Sequence, residues 1–296
     1  MPEEYSLYQS VSAWIYSDIQ PVPEITSPSQ LSRVVSISSV EMPVIIRQEQ
    51  PGAPLSVYSP QAGESLRDVV TRMLGLDIDT TGALRVLEED PVLSSLHMQV
   101  RGIRPYSTPS VFEALIKTVI QQQISYRAAN VLTKRLIERM VIPVRYSEMD
   151  VYGFPNPDKF IALGIEGLRS IGLGYKASIL LSLCNEVVSG RLELENMHRM
   201  TYEELSSLLL SLRGVGEWTL QTVCIAGLRR FDVFPNSDIG IRNLLGRLYF
   251  GGVRATNQQV LDLMESWGRH AAMALYLLMC ADVLGLVGPH SRTRSR

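Results

Sequence analysis

The hydrophobic positions of this chain change rhythm about a third of the way along. Before residue 60, segments such as "SRVVSISSV", "PVIIRQE" and "PLSVYS" set runs of Val, Ile and Leu between Ser and Pro, the pattern of short strands divided by turns. "GESLRDVVTRMLGL" then spaces Leu66, Val69, Val70, Met73 and Leu74 along one helical face. An α+β N-terminal domain is expected over residues 1–95. From about residue 84 the period is helical and stays so. "TPSVFEALIKTVIQQQIS" opens on Thr108 and Pro109, a cap followed by proline at the first helical position, and carries Phe112, Leu115, Ile116, Val119 and Ile120 as its apolar stripe. Further helices are expected at "SYRAANVLTKRLIERM", "NPDKFIALG", "YKASILLSLCNEVVSG", "TYEELSSLLLSL", "EWTLQTVCIAGLRRF", "DIGIRNLLGRLY", "TNQQVLDLMESWG" and "RHAAMALYLLMCADVL". Residues 96–285 therefore read as an all-α domain, and residues 286–296, ending in "HSRTRSR", as a basic tail expected to be disordered.

Composition narrows the class. With 296 residues and 46% apolar side chains the chain can bury a real core. "AAMALYLLMCADVLGLVG" carries Asp282 and reads as a buried helix rather than a membrane span, and the acidic start "MPEEYSLYQS" lacks an apolar leader, so an intracellular protein is expected. Cys184, Cys224 and Cys280 lie far apart, too few for a four-thiolate cluster and without a paired framework. The four histidines show no ligand spacing, so neither a catalytic metal nor a cofactor is expected. Charge is unevenly spread: residues 1–100 hold 5 Arg/Lys against 13 Asp/Glu, and the remainder 23 against 17. A basic second part suits a polyanion, although a mildly basic solvated surface reads the same way.

One helical stretch is broken. In "TYEELSSLLLSLRGVGEWTLQTV" a first helix runs to about Leu212, Arg213-Gly214-Val215-Gly216 forms the turn, and Glu217 opens a second helix. Glycine permits positive φ and lets the backbone approach another molecule. The amides of Gly214, Gly216 and the first turn after them have no intrahelical partner and lie at the positive end of a helix dipole, which suits a phosphate. A plain helix-ending glycine followed by a tight connection is the alternative.

"LRGVGEWTLQTVCIAGLRRFDVFPNSDIGIRNLL", residues 212–245, resembles the signature of the helix–hairpin–helix DNA glycosylase superfamily, with the hairpin followed by an aspartate in "VFPNSDIGIRN". Its alkylation-repair, AlkA-type branch is the nearest match. "FEALIKTVIQQQISYRAAN" is similar to that branch's first core helix and "SWGRHAAMALYLL" to its closing helix. The resemblance implies an α+β fold, a small antiparallel N-terminal sheet domain beside a mostly helical core. It also implies a monomer that acts on double-stranded DNA holding an alkylated base, with no membrane and no obligate protein partner.

By that resemblance Asp238 is the catalytic carboxylate. Cleavage of an N-glycosidic bond builds positive charge on the sugar, which a carboxylate stabilises while orienting water. Its other reading is a helix N-cap before an apolar-periodic run. Superfamily members that also cut the backbone carry a lysine two residues past the hairpin's second glycine; here that position is Trp218, and no lysine lies between hairpin and aspartate. A monofunctional enzyme that leaves an abasic site is expected. Trp218 is the candidate stacking wall for an electron-poor base, and Tyr276 a second wall. Gln123 takes the place of the wedge that fills the hole left by a flipped base, where the family pattern has leucine, and Thr222 stands where a tyrosine is usual. Ser125, Arg242, Arg247 and Arg269 are candidate backbone contacts, with Leu212, Gly214, Val215 and Gly216 of the hairpin. The resemblance also places a monovalent Na⁺ or K⁺ ion on the carbonyls of Leu210, Leu212 and Val215. Alternatives at this point are a non-catalytic helix–hairpin–helix DNA-binding protein, a sibling glycosylase for hypoxanthine or oxidised bases, and an α-helical enzyme for small molecules.

Overall fold

The computed structural model describes residues 4–287, so most of the expected basic tail lies outside the described residues. Helix α1 (Leu7–Ser12) is capped by Ser6, whose Oγ accepts the Gln9 amide at 3.2 Å. Strands β1 (Ile25–Ser27), β2 (Gln30–Ile37), β3 (Val40–Arg47) and β4 (Ser56–Tyr58) form an antiparallel sheet in chain order. Strands β2 and β3 pair along their whole length, from Gln30 opposite Arg47 to Ile37 opposite Val40. Their two-residue turn is Ser38-Ser39, both at positive φ (49° and 66°), the turn whose twist matches a hairpin. Helix α2 (Glu64–Met73) lays Leu66, Val70 and Met73 on the sheet, as its spacing predicts.

The helical part is ordered α3 (Thr81–Glu89), α4 (His97–Val100), α5 (Val111–Gln121), α6 (Tyr126–Met140), α7 (Pro157–Ser170), α8 (Lys176–Val188), α9 (Tyr202–Leu210), α10 (Glu217–Ala226), α11 (Ile239–Tyr249), α12 (Asn257–Trp267) and α13 (Ala271–Val283). Helix α5 starts later than its sequence suggests. Ser110 is the cap, accepting the Glu113 amide at 3.2 Å, while the Thr108 hydroxyl donates to the Ser110 carbonyl. Nor is this part wholly helical: β5 (Val144–Tyr146) and β6 (Met149–Val151) form a hairpin, and the Val34 amide of β2 donates to the Tyr152 carbonyl at 2.7 Å. Three-residue strands are too short to show an alternation against a helical background. Helix α13 is buried on all sides, in keeping with its unbroken apolar run, and no helix among the described residues is long and apolar enough to cross a membrane.

Three cores result. One fills the sheet, α1 and α2. A second joins α5 through α10. The third joins α3 and α4 to α11 and α13, with Ala83 and Leu87 in the same cluster as Leu275 and Leu278. Leu93 and Leu96, on either side of residue 95, both belong to this third core. Amphipathic spacing marks a face to be buried and does not say which neighbour buries it.

Candidate functional site

A cavity opens where the three cores meet. Ile15, Val22 and Tyr106 line it from the sheet side, Ala114 and Ala129 from α5 and α6, and Ile241, Leu275 and Tyr276 from α11 and α13. Asp238 and Trp218, both half-buried, stand at its outer end, and fully buried Glu24 at its floor.

Asp238 is the helix N-cap of one of its sequence readings, and it also lines the cavity. Its Oδ1 accepts the Ile241 amide at 2.9 Å as the N-cap of α11, and its Oδ2 accepts the indole N–H of Trp218 at 2.7 Å. Both oxygens are thereby oriented, each keeping capacity to accept a further hydrogen bond, and the residue lines the cavity. Trp218 reaches it because the hairpin turn starts α10 one residue earlier, at Glu217, and sets the indole a turn from Thr222, whose hydroxyl donates back to the Trp218 carbonyl at 2.7 Å. Tyr276 also lines the cavity, but deeper. Its hydroxyl accepts the indole N–H of Trp14 at 2.5 Å and the Tyr106 amide at 3.0 Å, and burial pushes its own ionisation well above the usual range. The Trp14 ring, 5.2 Å away by centroids, adds an aromatic wall that sequence reasoning passed over.

The hairpin has the expected form. A capping box at Thr201 and Glu204 starts α9, which ends at Leu210, and Gly216 is the N-cap of α10, without a side-chain capping bond. Gly214 has φ +82°, and a Cβ there would lie 2.6 Å from the Ile179 side chain; a Cβ on Gly216, in extended backbone, would meet nothing. The two glycines therefore differ: the first is required by the fold, and the second leaves backbone open to solvent. Arg213 is exposed on the same turn.

Gln123 is exposed at the tip of the α5–α6 loop with φ +58°, and Ser125 caps α6 by accepting the Ala128 amide at 3.2 Å. The loop is tied down by a neighbour the sequence reading left without a role. Gln122 donates to the Gly214 carbonyl at 2.8 Å and to Thr219 Oγ1 at 3.0 Å, joining the loop to the hairpin. Lys176 secures the other side, its buried Nζ donating to the Ile120 carbonyl at 2.6 Å. Three consecutive glutamines gave no means of telling the anchor from the tip. The three arginines are less alike than the sequence suggests. Arg242 donates from Nε to the Ala255 carbonyl at 2.6 Å, Arg247 pairs with Asp282, and Arg269, exposed, donates to His270. Of these three, only Arg269 has neither a carboxylate nor a carbonyl partner among the described residues.

At the cavity floor lies a group of four charges. Arg33 bridges Glu24 and Glu113, at 2.6 Å to each, and Lys117 contacts Glu113 at 2.8 Å and Glu24 at 3.1 Å. The Tyr106 hydroxyl donates to Glu24 at 2.9 Å. Burial penalises Glu113's charge, but Arg33 and Lys117 outweigh it and hold the carboxyl below its ordinary value. For Tyr106 burial dominates, and its ionisation is pushed far up. A signal did exist: Glu113 and Lys117, four apart, interrupt the apolar stripe of α5.

The profile of the family described as HhH-GPD superfamily base excision DNA repair protein matches residues 116–270, which hold Gln123, the hairpin, Trp218 and Asp238. This chain belongs to the HhH-GPD superfamily. Among its relatives is a DNA-3-methyladenine glycosylase of Bacillus subtilis, 25% identical over 73% of this chain and 71% of its own length. DNA-3-methyladenine glycosylase 1 of Schizosaccharomyces pombe is 29% identical over 61% of this chain and 75% of its own. The solved 3-methyladenine DNA-glycosylase of Archaeoglobus fulgidus is similar throughout, with a TM-score of 0.85, 26% identity, and 95% and 97% of the two chains covered. The likeness to that structure thus extends over the sheet domain as well as the matched segment.

Proposed function

We propose that this HhH-GPD protein is a monofunctional DNA glycosylase that extrudes an alkylated, 3-methyladenine-type base from duplex DNA and hydrolyses its glycosidic bond, leaving an abasic site. The observation that carries the reading is Asp238, oriented by the Ile241 amide and the Trp218 indole at the outer end of a mostly apolar cavity. An extruded base enters past Trp218, and its sugar comes to Asp238. As the bond lengthens, the carboxylate stabilises the positive charge on the sugar and orients the attacking water. Gln123 fills the space the base has left, on a loop that Gln122 fixes to the hairpin. The open backbone at Gly216 and the first turn of α10 receive a phosphate. Carbonyls of Leu210, Leu212 and Val215 suit a monovalent cation beside that phosphate; the Leu212 carbonyl already accepts the Val215 amide at 3.1 Å, which leaves it one lone pair to offer. The Mag1 glycosylase of S. pombe, solved in complex with abasic DNA, supports a DNA partner, with a TM-score of 0.57 and 28% identity over 68% of this chain.

The absence of lyase chemistry rests on the lysines. Among the described residues Lys117 is the one lysine that lines the cavity, and its ammonium is engaged by Glu24 and Glu113 instead of standing as a free amine nucleophile. The test is excision from methylated duplex DNA, with strand breaks read before and after alkali, for wild type and Asp238→Asn. Release of methylated purines, breaks only after alkali, and a loss of about 100-fold or more in the variant are expected. Asparagine caps helices as well as aspartate does, so the variant should fold. Breaks without alkali, or an enzyme-DNA adduct trapped by borohydride, would overturn the monofunctional assignment.

A further inference from the structure

The loop between α5 and α6 carries the residue proposed to fill the space of a flipped base, and its conformation needs support. Gln123 has φ +58°, a region that residues other than glycine enter rarely and keep only where neighbours hold them. Its side-chain oxygen accepts from the Tyr175 hydroxyl at 3.3 Å, but Tyr175 is 56% exposed, so water competes for that contact. The firm connection is one residue back. Gln122 is half-buried, and its amide nitrogen has two hydrogens to give. One goes to the Gly214 carbonyl at 2.8 Å, the other to Oγ1 of Thr219, 2% exposed, at 3.0 Å. Among the described residues no other hydrogen bond joins residues 121–125 to residues 211–219.

The choice of acceptors gives this connection its meaning. The Gly214 carbonyl belongs to the peptide unit whose amide, on Val215, donates to the Leu212 carbonyl at 3.1 Å. That unit is held at both ends, and it lies just before Gly216, where the backbone is open to solvent. Thr219 lies in the first turn of α10, next to Trp218. We infer that Gln122 is a positioning residue for base extrusion, holding Gln123 at a fixed distance from the hairpin so that DNA gripped at the hairpin is entered by the wedge in register. This rests on the proposed reading of Gln123 as the wedge and of the hairpin as the phosphate seat. Both hydrogens of Gln122 are spent within the protein, so it acts through its neighbour.

The experiment uses a duplex that holds a tetrahydrofuran abasic analogue opposite 2-aminopurine, a base that brightens when it loses its stacked neighbours. Binding is read by the anisotropy of an end label and wedge entry by the 2-aminopurine signal, for wild type, Gln123→Ala, Gln122→Met and Thr219→Val. Wild type should bind and brighten the probe, and Gln123→Ala should bind with most of the signal gone. Gln122→Met keeps the length of the side chain without its donors. It should bind within about threefold of wild type, because phosphate contacts supply most of the affinity, yet lose the signal as Gln123→Ala does. Its single-turnover excision from methylated duplex should fall about tenfold, the size of two neutral hydrogen bonds. Thr219→Val removes one acceptor, should lose part of the signal, and should add nothing to Gln122→Met. A full signal or an undiminished excision rate in Gln122→Met overturns the inference, as does a full signal from Gln123→Ala or a wild type that binds without one. So does a fall in binding as large as the fall in signal, which would make Gln122 a support of the hairpin alone. A wild type that shows the binding and signal pattern but releases no methylated purine removes the proposed glycosylase and leaves this inference standing; one that binds no DNA removes both.

Discussion

The hairpin and the cavity floor achieve rigidity by opposite means. The hairpin is local, exposed and made of backbone: Gly214 turns the chain, Gln122 clips its carbonyl, and Gly216 leaves amides open. The floor is buried and made of side chains drawn from a loop, a strand and a helix, with Arg33 meeting Glu113 across 80 residues of sequence. Open amides can accept a ligand without rearrangement, since water is what they give up. Buried ions cannot do without one another, because each was stripped of water on the strength of its partner. The first region therefore tolerates change that alters binding, and the second converts change into lost stability.

The largest effect expected from that contrast follows Arg33→Met. It leaves two buried carboxylates to share Lys117, and breaking a buried pair in this way costs about 3–5 kcal/mol. Thermal or urea unfolding reads it directly; a loss below about 1 kcal/mol would show that water reaches the floor. Acid gives the same region a second test. Glu113's carboxyl is held below its ordinary 4.5 in the fold, so its contribution is complete above that pH and is lost as pH falls through the lower, folded value. Glu113→Gln should lower stability near neutrality and flatten the decline of stability below pH 4.5.

The hairpin should separate its two glycines. Gly214→Ala meets a positive φ and the Ile179 side chain together, and should cost about 1–3 kcal/mol. Gly216→Asp sits in extended backbone with open space around its Cβ and supplies the cap that α10 lacks, so the melting temperature should hold or rise. Its charge stands where a phosphate is expected, and DNA affinity at low salt should fall about tenfold. Equal effects of the two substitutions on melting would erase the distinction.

How much of this was legible in the sequence follows the same division. Gly214, Gly216 and Asp238 lie within one short stretch where each residue type does something that few others do: glycine turns the chain, and aspartate caps a helix and is the carboxylate proposed to react. Arg33 in "SRVVSISSV" reads as one polar position of a strand, and Glu24 follows a proline in a loop; nothing local announces that they meet over α5. Asp282 was read as a break in an apolar run, and its partnership with Arg247, which diverts a candidate phosphate contact, depends on how α11 lies on α13. The core that joins residues on the two sides of position 95 was hidden for the same reason. Periodicity describes one element at a time, and the third core exists between elements.

Trp218 links the hairpin to the cavity, because it rises from the hairpin helix and donates to Asp238, the proposed catalytic carboxylate. From sequence it is a wall for the base; the structure adds a donor. Trp218→Phe keeps an aromatic face and removes the N–H, and so divides the two. If the indole orients Asp238, the maximal single-turnover rate should fall about tenfold, the size of one hydrogen bond to a charged group. The protein concentration at half-maximal rate, which follows DNA and base binding, should stay within about twofold. Trp218→Ala should lose both, since it removes wall and donor together. A phenylalanine variant that turns over as fast as wild type would leave the Ile241 amide as the sole support Asp238 needs, and would return the catalytic carboxylate to the hairpin's style of construction, in which backbone alone holds the working group in place.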